Sequence, residues 1–171
     1  MIAAADIPDL DHDIWRSLNF DGQDHAWSRF VAILSTIPPG VRWVYAIDSW
    51  DGGNPNTARR RRDAAAVRSH VAVWRSVACP LPAPLPPALT VYHGARASVD
   101  RVQVLHSMSW TLDPVVARSF ALVHGRGTVW SAEVEGRFVL CAHDTRGEAE
   151  VIIDPAGLSS VQAWDPAIWT D

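Results

Sequence analysis

The sequence predicts an α+β fold in which a helical layer over residues 1–78 precedes a mostly antiparallel sheet over residues 89–171, with one helix among its strands. Three observations lead there. In the first half, apolar residues recur at three- and four-residue spacing, the helical period. In the second half, short β-branched and aromatic runs alternate with turn residues, which is the pattern of strands. Between the halves, CPLPAPLPPAL carries five prolines in eleven positions; these remove backbone donors and favour an extended path, so residues 79–88 read as a connector.

Taken in order, DHDIWRSLNF, DHAWSRFVAILSTI and TARRRRDAAAVRSHVAVWRSVA read as helices, with Thr57 a candidate cap for the last. VRWVYAID, residues 41–48, stays open: its β-branched and aromatic content favours a strand, its neighbours a helix. After the connector, LTVYHG, VQVLHSMSW, GTVWSAEVEG, RFVLCAH, EAEVIID and SSVQAW read as strands. DPVVARSFALV is the exception. Asp113 suits an N-cap and Pro114 the first helical position, and the spacing turns Val115, Val116, Phe120 and Ala121 toward the sheet. No internal repeat is present.

With 171 residues, 48% of them apolar, the chain is expected to form one domain with a sizeable core. No apolar run approaches the roughly 18 to 20 residues of a membrane span, and MIAAADIPDLDHD is acidic where a secretory signal would be basic and then apolar. The expectation is therefore no membrane association and no targeting segment. Net charge is −4, and all 15 basic residues are arginine. That acidic balance argues against a general nucleic-acid binder, with Arg59, Arg60, Arg61 and Arg62 as the single cationic run, read as the solvated start of a helix or a loop. Cys79 and Cys141 lack metal-type spacing, and two thiols alone do not make a disulfide framework, so a reducing compartment is the default.

Three stretches carry candidate chemistry. RGEAEVIID opens an apolar strand with Glu148 and Glu150. Two positions apart in a strand, they would project from one face about 6.5 to 7 Å apart, raise one another's pKa and divide roles. The plainer reading leaves both in solvent or paired with Arg146 and Arg137. VYHGAR ends a strand in His93-Gly94, where the ring offers a donor and an acceptor and glycine permits close approach of a ligand. SMSWTLDPVVARSFA runs Ser109, Trp110 and Thr111 off a strand directly into the helix.

In this order the three resemble the ADP-ribosyltransferase superfamily. Its pattern is a first strand with Arg-Gly or His-Gly, a serine-threonine-serine strand entering a helix, and a late strand opening on E-x-E or Q-x-E. The resemblance covers residues 89 to about 165. Two departures stand out: His93 replaces the arginine of the arginine-serine-glutamate class, as in the diphtheria-toxin-like and polymerase class, and the middle element reads Ser-Trp-Thr.

The resemblance implies a split antiparallel sheet with an N-terminal helical layer, and NAD as substrate without a metal. It makes Glu150 the carboxylate facing the oxocarbenium-like ribose, Glu148 the group that orients or deprotonates the nucleophile, and Ser109 the hydroxyl that holds Glu150. His93 would bind a ribose hydroxyl or phosphate of NAD and the Gly94 backbone would meet the nicotinamide amide. Tyr92, Trp110 and Thr111 complete the expected NAD site, with core packing as the competing role for the two aromatic rings. His106, His124 and His143 form no ligand cluster by their spacing and read as surface or satisfied residues.

The implied activity is mono-ADP-ribosyl transfer to a macromolecule, with protein arginine expected because glutamate stands first in E-x-E. A toxin or effector role follows by the same resemblance, in the cytoplasm or delivered into a target cell without a classical signal, with a cognate inhibitor protein covering the cleft between His93 and Glu150. Two alternatives share the fold: an NAD glycohydrolase, and a catalytically inactive binding module.

Overall fold

The structure, a computed structural model, describes residues 2–3, 8–9, 11–19, 25–53, 63–81, 85–123, 125 and 127–164. Four helices make the N-terminal layer: α1 (His12–Asn19), α2 (Ala26–Ile33), α3 (Arg42–Gly53) and α4 (Ala64–Val77). The sheet contains β1 (Ile2–Ala3), β2 (Ala88–Ala95), β3 (Ser109–Thr111), β4 (Thr128–Glu135), β5 (Val139–Asp144), β6 (Glu150–Ile153) and β7 (Leu158–Ala163), with α5 (Arg101–Val104) and α6 (Pro114–Leu122) between strands. Strand order is β1-β5-β6-β3-β2-β4-β7, antiparallel at every junction except the parallel β1–β5 pair. The α+β class holds.

The segment left open, VRWVYAID, is helical and lies in α3. Trp43, Val44, Tyr45, Ala46, Ile47 and Trp50 are all buried, so this helix is apolar around its circumference and sits at the centre of its layer, where packing on all sides overrides β propensity. In α4 the cap is Asp63, whose carboxylate accepts from the Ala65 and Ala66 amides. Thr57, like Arg59 to Arg62, lies outside the described residues.

Two expectations in the second half need correction. VQVLHSMSW is a strand only at its end: Asp100 and Gln103 close a capping box that starts α5, and the β-branched residues Val102 and Val104 follow it into a helical turn. In α6, Asp113 and Pro114 start the helix as expected, but its packed face is Ala117 and Ala121, while Val115 and Phe120 are 66% and 46% exposed. Close approach decides this. A Cβ on Gly94 would lie 1.9 Å from the Ala117 carbonyl oxygen, and one on Gly127 would lie 2.4 Å from that of Ala121. The helix rests on two glycines through its alanines, and larger side chains turn away.

One core cluster joins the helical layer to the sheet, with Trp27, Phe30, Ile47 and Trp74 packed together with Met108, Cys141 and Ile152. The other, on the opposite sheet face, contains Val91, Trp110, Val134, Val151 and Ile153. Cys79, just beyond α4, and Cys141, on β5, form a disulfide across 62 residues with Cα atoms 5.4 Å apart. Spacing in sequence did not reveal the pair, because the packing of α4 on β5 is what brings the two thiols together. The ladder between β2 and β3 has one registered pair, Tyr92 with Thr111, against eight between β2 and β4. Among the described residues this is the least paired junction of one continuous seven-stranded sheet.

Candidate functional site

Strand alternation places the central carboxylate. Along β6, Val151 and Ile153 belong to one cluster and Ile152 to the other, so Glu150 shares the face of Ile152 and points toward the helical layer. Its neighbours across the ladders are Thr111 on β3 and His143 on β5. The last turn of α3 brings Asp51 against it from above. Glu150, Thr111 and Asp51 border a cavity of about 250 Å³, with His143 packed behind Glu150. All eight residues singled out in the sequence line it: Tyr92, His93, Gly94, Ser109, Trp110, Thr111, Glu148 and Glu150. Trp50, Asp51, Phe120 and Arg146 line it as well.

Glu148 reaches the cavity by a different route from the one its spacing implied. It precedes β6 on a turn in which Gly147 and Ala149 have φ of 70° and 46°, so the two-residue alternation is broken and the glutamates are not strand neighbours on one face. Backbone contacts hold the turn. The Thr111 hydroxyl donates to the Glu148 carbonyl at 2.6 Å, the Leu112 amide donates to the Ala149 carbonyl at 3.1 Å, and the Ala149 amide donates to Asp144 Oδ1 at 3.0 Å. Thr111, expected at NAD, thus has its hydroxyl engaged in setting the position of Glu148.

Glu150 is 8% exposed, and the Ser109 hydroxyl donates to its Oε1. Burial, and next the Asp51 charge beside it, push its carboxyl up to about 8, with the Ser109 bond working against the shift. Burial also raises Asp51, and Arg146, whose Nε lies 3.4 Å from Asp51 Oδ2, pulls it back down. The contact between the two carboxyls raises Glu150 and lowers Asp51, and the two titrate as a pair that shares a proton. His143, 1% exposed, is held down to about 4 chiefly by burial, and next by Arg146. It was read as a surface or satisfied histidine. Its strand register instead sets it against Glu150, with Nε2 3.5 Å from Oε2 and no hydrogen-bond partner for that nitrogen.

His93 stands where the β2–β3 ladder ends. Its Nδ1 lies 2.9 Å from the Ser109 carbonyl oxygen; a carbonyl only accepts, so Nδ1 carries the hydrogen. The ring thereby ties β2 to β3 next to Ser109. Trp110 is buried in the second core cluster, donates from Nε1 to the Ser107 carbonyl at 2.9 Å, and packs on His93 with centroids 5.4 Å apart. Tyr92 is half-buried, with Trp164 edge-on at 5.4 Å. Gly94 lines the cavity, but the atom its missing side chain makes room for belongs to α6.

Asp51 and His143 were missed in the sequence, and Asp51 left a signal. It is a carboxylate in the last turn of a mostly apolar helix, at the end where the dipole disfavours negative charge. His143 left none, since its importance lies in cross-strand register. Among the described residues Asp51, His143 and Glu150 each offer a potential metal-ligand atom, all within 4.8 Å of one another. No helix among the described residues is long and apolar enough to cross a membrane. No family model, curated protein or solved structure matches the chain.

Proposed function

We propose that the chain is an NAD-dependent mono-ADP-ribosyltransferase that modifies a macromolecular acceptor, with protein arginine as the expected site. The observation that carries this reading is the buried Glu150, fixed by the Ser109 hydroxyl at a cavity that His93 also lines. Order and spacing of the three motifs, and a helical layer over a mostly antiparallel sheet, support the same reading.

The chemistry needs a carboxylate beside the ribose. As the bond between C1′ and the nicotinamide nitrogen breaks, its electron pair leaves with neutral nicotinamide and positive charge grows on the sugar; an ionised Glu150 stabilises that charge most when it is fully developed. The positive nicotinamide ring of arriving NAD favours release of the proton shared by Glu150 and Asp51. Glu148, on its own turn at the cavity edge, then takes the proton of the incoming guanidinium as the new bond to C1′ forms. Three carboxylates against Arg146 favour a cationic acceptor. A toxin or effector role, and an inhibitor protein seated over this cavity, belong to the same proposal.

The test is incubation with labelled NAD and a bacterial lysate, wild type beside Glu150→Gln, reading labelled macromolecules and released nicotinamide. Label that is lost in the variant supports transfer, and Glu148→Ala then reduces labelling more than nicotinamide release. Nicotinamide without label assigns a glycohydrolase, and neither product from the wild type leaves the fold as a binding module.

A further inference from the structure

We propose that Asp51, His143 and Glu150 form a binding site for a divalent transition-metal cation of the zinc class. The argument starts from one hydroxyl. Thr145 donates from Oγ to Asp51 Oδ2 at 3.4 Å, and a hydroxyl has a single hydrogen to give. In its 3.2 Å contact with His143 Nδ1 Thr145 must therefore accept, so Nδ1 carries the hydrogen and the neutral ring presents the Nε2 lone pair. That lone pair faces Glu150 Oε2 at 3.5 Å in a buried setting, with no hydrogen-bond partner. A cation bound to both, in place of the proton that Glu150 and Asp51 share, satisfies the lone pair and the carboxylate together.

Geometry and chemistry suit zinc. Bonds of about 2.0 to 2.2 Å in a tetrahedron put neighbouring ligand atoms roughly 3.4 Å apart, and the Nε2–Oε2 separation of 3.5 Å matches that edge. The three ligand atoms lie within 4.8 Å of one another, so Asp51 closes the triangle by a shift of at most roughly 1.4 Å to reach tetrahedral edges. Each ligand is already oriented: His143 by Thr145, Glu150 by Ser109, and Asp51 by Thr145 and Arg146. The charges facing the site are those of Asp51, Glu148 and Glu150 against Arg146, a balance that favours a cation.

The site is distinct from the nucleotide reading, since binding requires no NAD. Its consequence rests on that reading: a bound cation takes the Glu150 carboxylate away from the ribose, so Zn2+ inhibits nicotinamide release and a chelator restores it.

The experiment is a calorimetric titration of the chelator-treated full chain with Zn2+, repeated with Co2+ to read tetrahedral ligand-field absorption. The expected result is one ion per chain at micromolar affinity, weakened roughly a hundredfold in His143→Gln and at least about tenfold in the near-isosteric Glu150→Gln, and unchanged in His106→Gln. Circular dichroism and thermal unfolding establish that each variant is folded. Absence of saturable binding below millimolar Zn2+, or equal binding by folded His143→Gln or Glu150→Gln, overturns the site. Zinc binding by a chain that releases no nicotinamide even in chelator upholds the site and removes the NAD reading, while turnover that Zn2+ leaves unchanged, with no saturable zinc binding, removes the site alone.

Discussion

Replacing Gly94 by alanine tests the seat of α6 on the sheet. The added Cβ would meet the Ala117 carbonyl oxygen at 1.9 Å and the Phe120 Cβ at 2.8 Å. A carbon rests about 3.3 Å from an oxygen, so strand and helix must separate by roughly 1.4 Å. The nearest obstacle is backbone, which cannot rotate aside. Ala117 and Ala121, fully and almost fully buried, lose contact with β2 and β4 along the whole face when the helix lifts. Overpacking of cores costs about 1 to 3 kcal/mol when side chains can yield, and a backbone obstacle places this substitution at about 3 kcal/mol or more. For a chain of this size that lowers Tm by about 6 to 12 °C. Thermal and denaturant unfolding read the change. Gly40→Ala is the control: a Cβ there meets nothing within 4 Å, and the expected change is within about 0.5 kcal/mol. A Gly94→Ala protein less than about 2 °C below wild type would refute the close-approach argument, and the glycine would then be better explained by ligand approach to the cavity. With the seat disturbed, Phe120 moves at the cavity wall, and on the proposed function NAD affinity falls along with stability.

Glu150→Gln lowers NAD cleavage by about two to three orders of magnitude or more in kcat, and it changes the pH dependence of stability. The wild-type carboxyl, raised from 4.5 to about 8 in the fold, favours folding while protonated; its contribution is complete below pH 4.5 and is lost as pH rises through about 8. Wild-type Tm minus variant Tm therefore falls between those limits, and a flat difference contradicts the burial of this charge. Asp51→Asn removes the neighbouring charge that helps raise Glu150, so the acid limb of nicotinamide release, measured with chelator present, moves to lower pH; an unmoved midpoint separates the two carboxyls. Reducing Cys79–Cys141, which closes a loop of 62 residues, costs about 4 kcal/mol on the chain-entropy estimate, read as a lower denaturant midpoint in reductant, and equal midpoints would show that the bond constrains nothing.

Much of this architecture was legible in order along the chain. The helical period of the first half, the strand runs of the second, the proline connector, and Asp113-Pro114 at the head of α6 depend on local chemistry, and local chemistry is written in adjacent residues. Eight of the twelve residues that line the cavity were reachable because they stand in three short motifs that resemble a family pattern in their order along the chain. VRWVYAID was not decidable, because its helical state comes from burial on every side, which no short window contains. VQVLHSMSW misled because its β-branched spacing hid the capping box of Asp100 and Gln103.

What the chain alone determined, then, is which groups are available: a serine ahead of a helix, a histidine beside a glycine, and two glutamates before an apolar strand. Tertiary structure decided what they do together. Positive φ at Ala149 takes Glu148 off the strand, the β5–β6 register sets His143 against Glu150, the packing of α3 delivers Asp51 across almost one hundred residues of sequence, and α4 brings Cys79 to Cys141. Each of these depends on the meeting of surfaces distant along the chain. Burial then turns an ordinary glutamate into a carboxyl that holds its proton near neutrality, because the cost of charge is set by the surroundings and not by the residue.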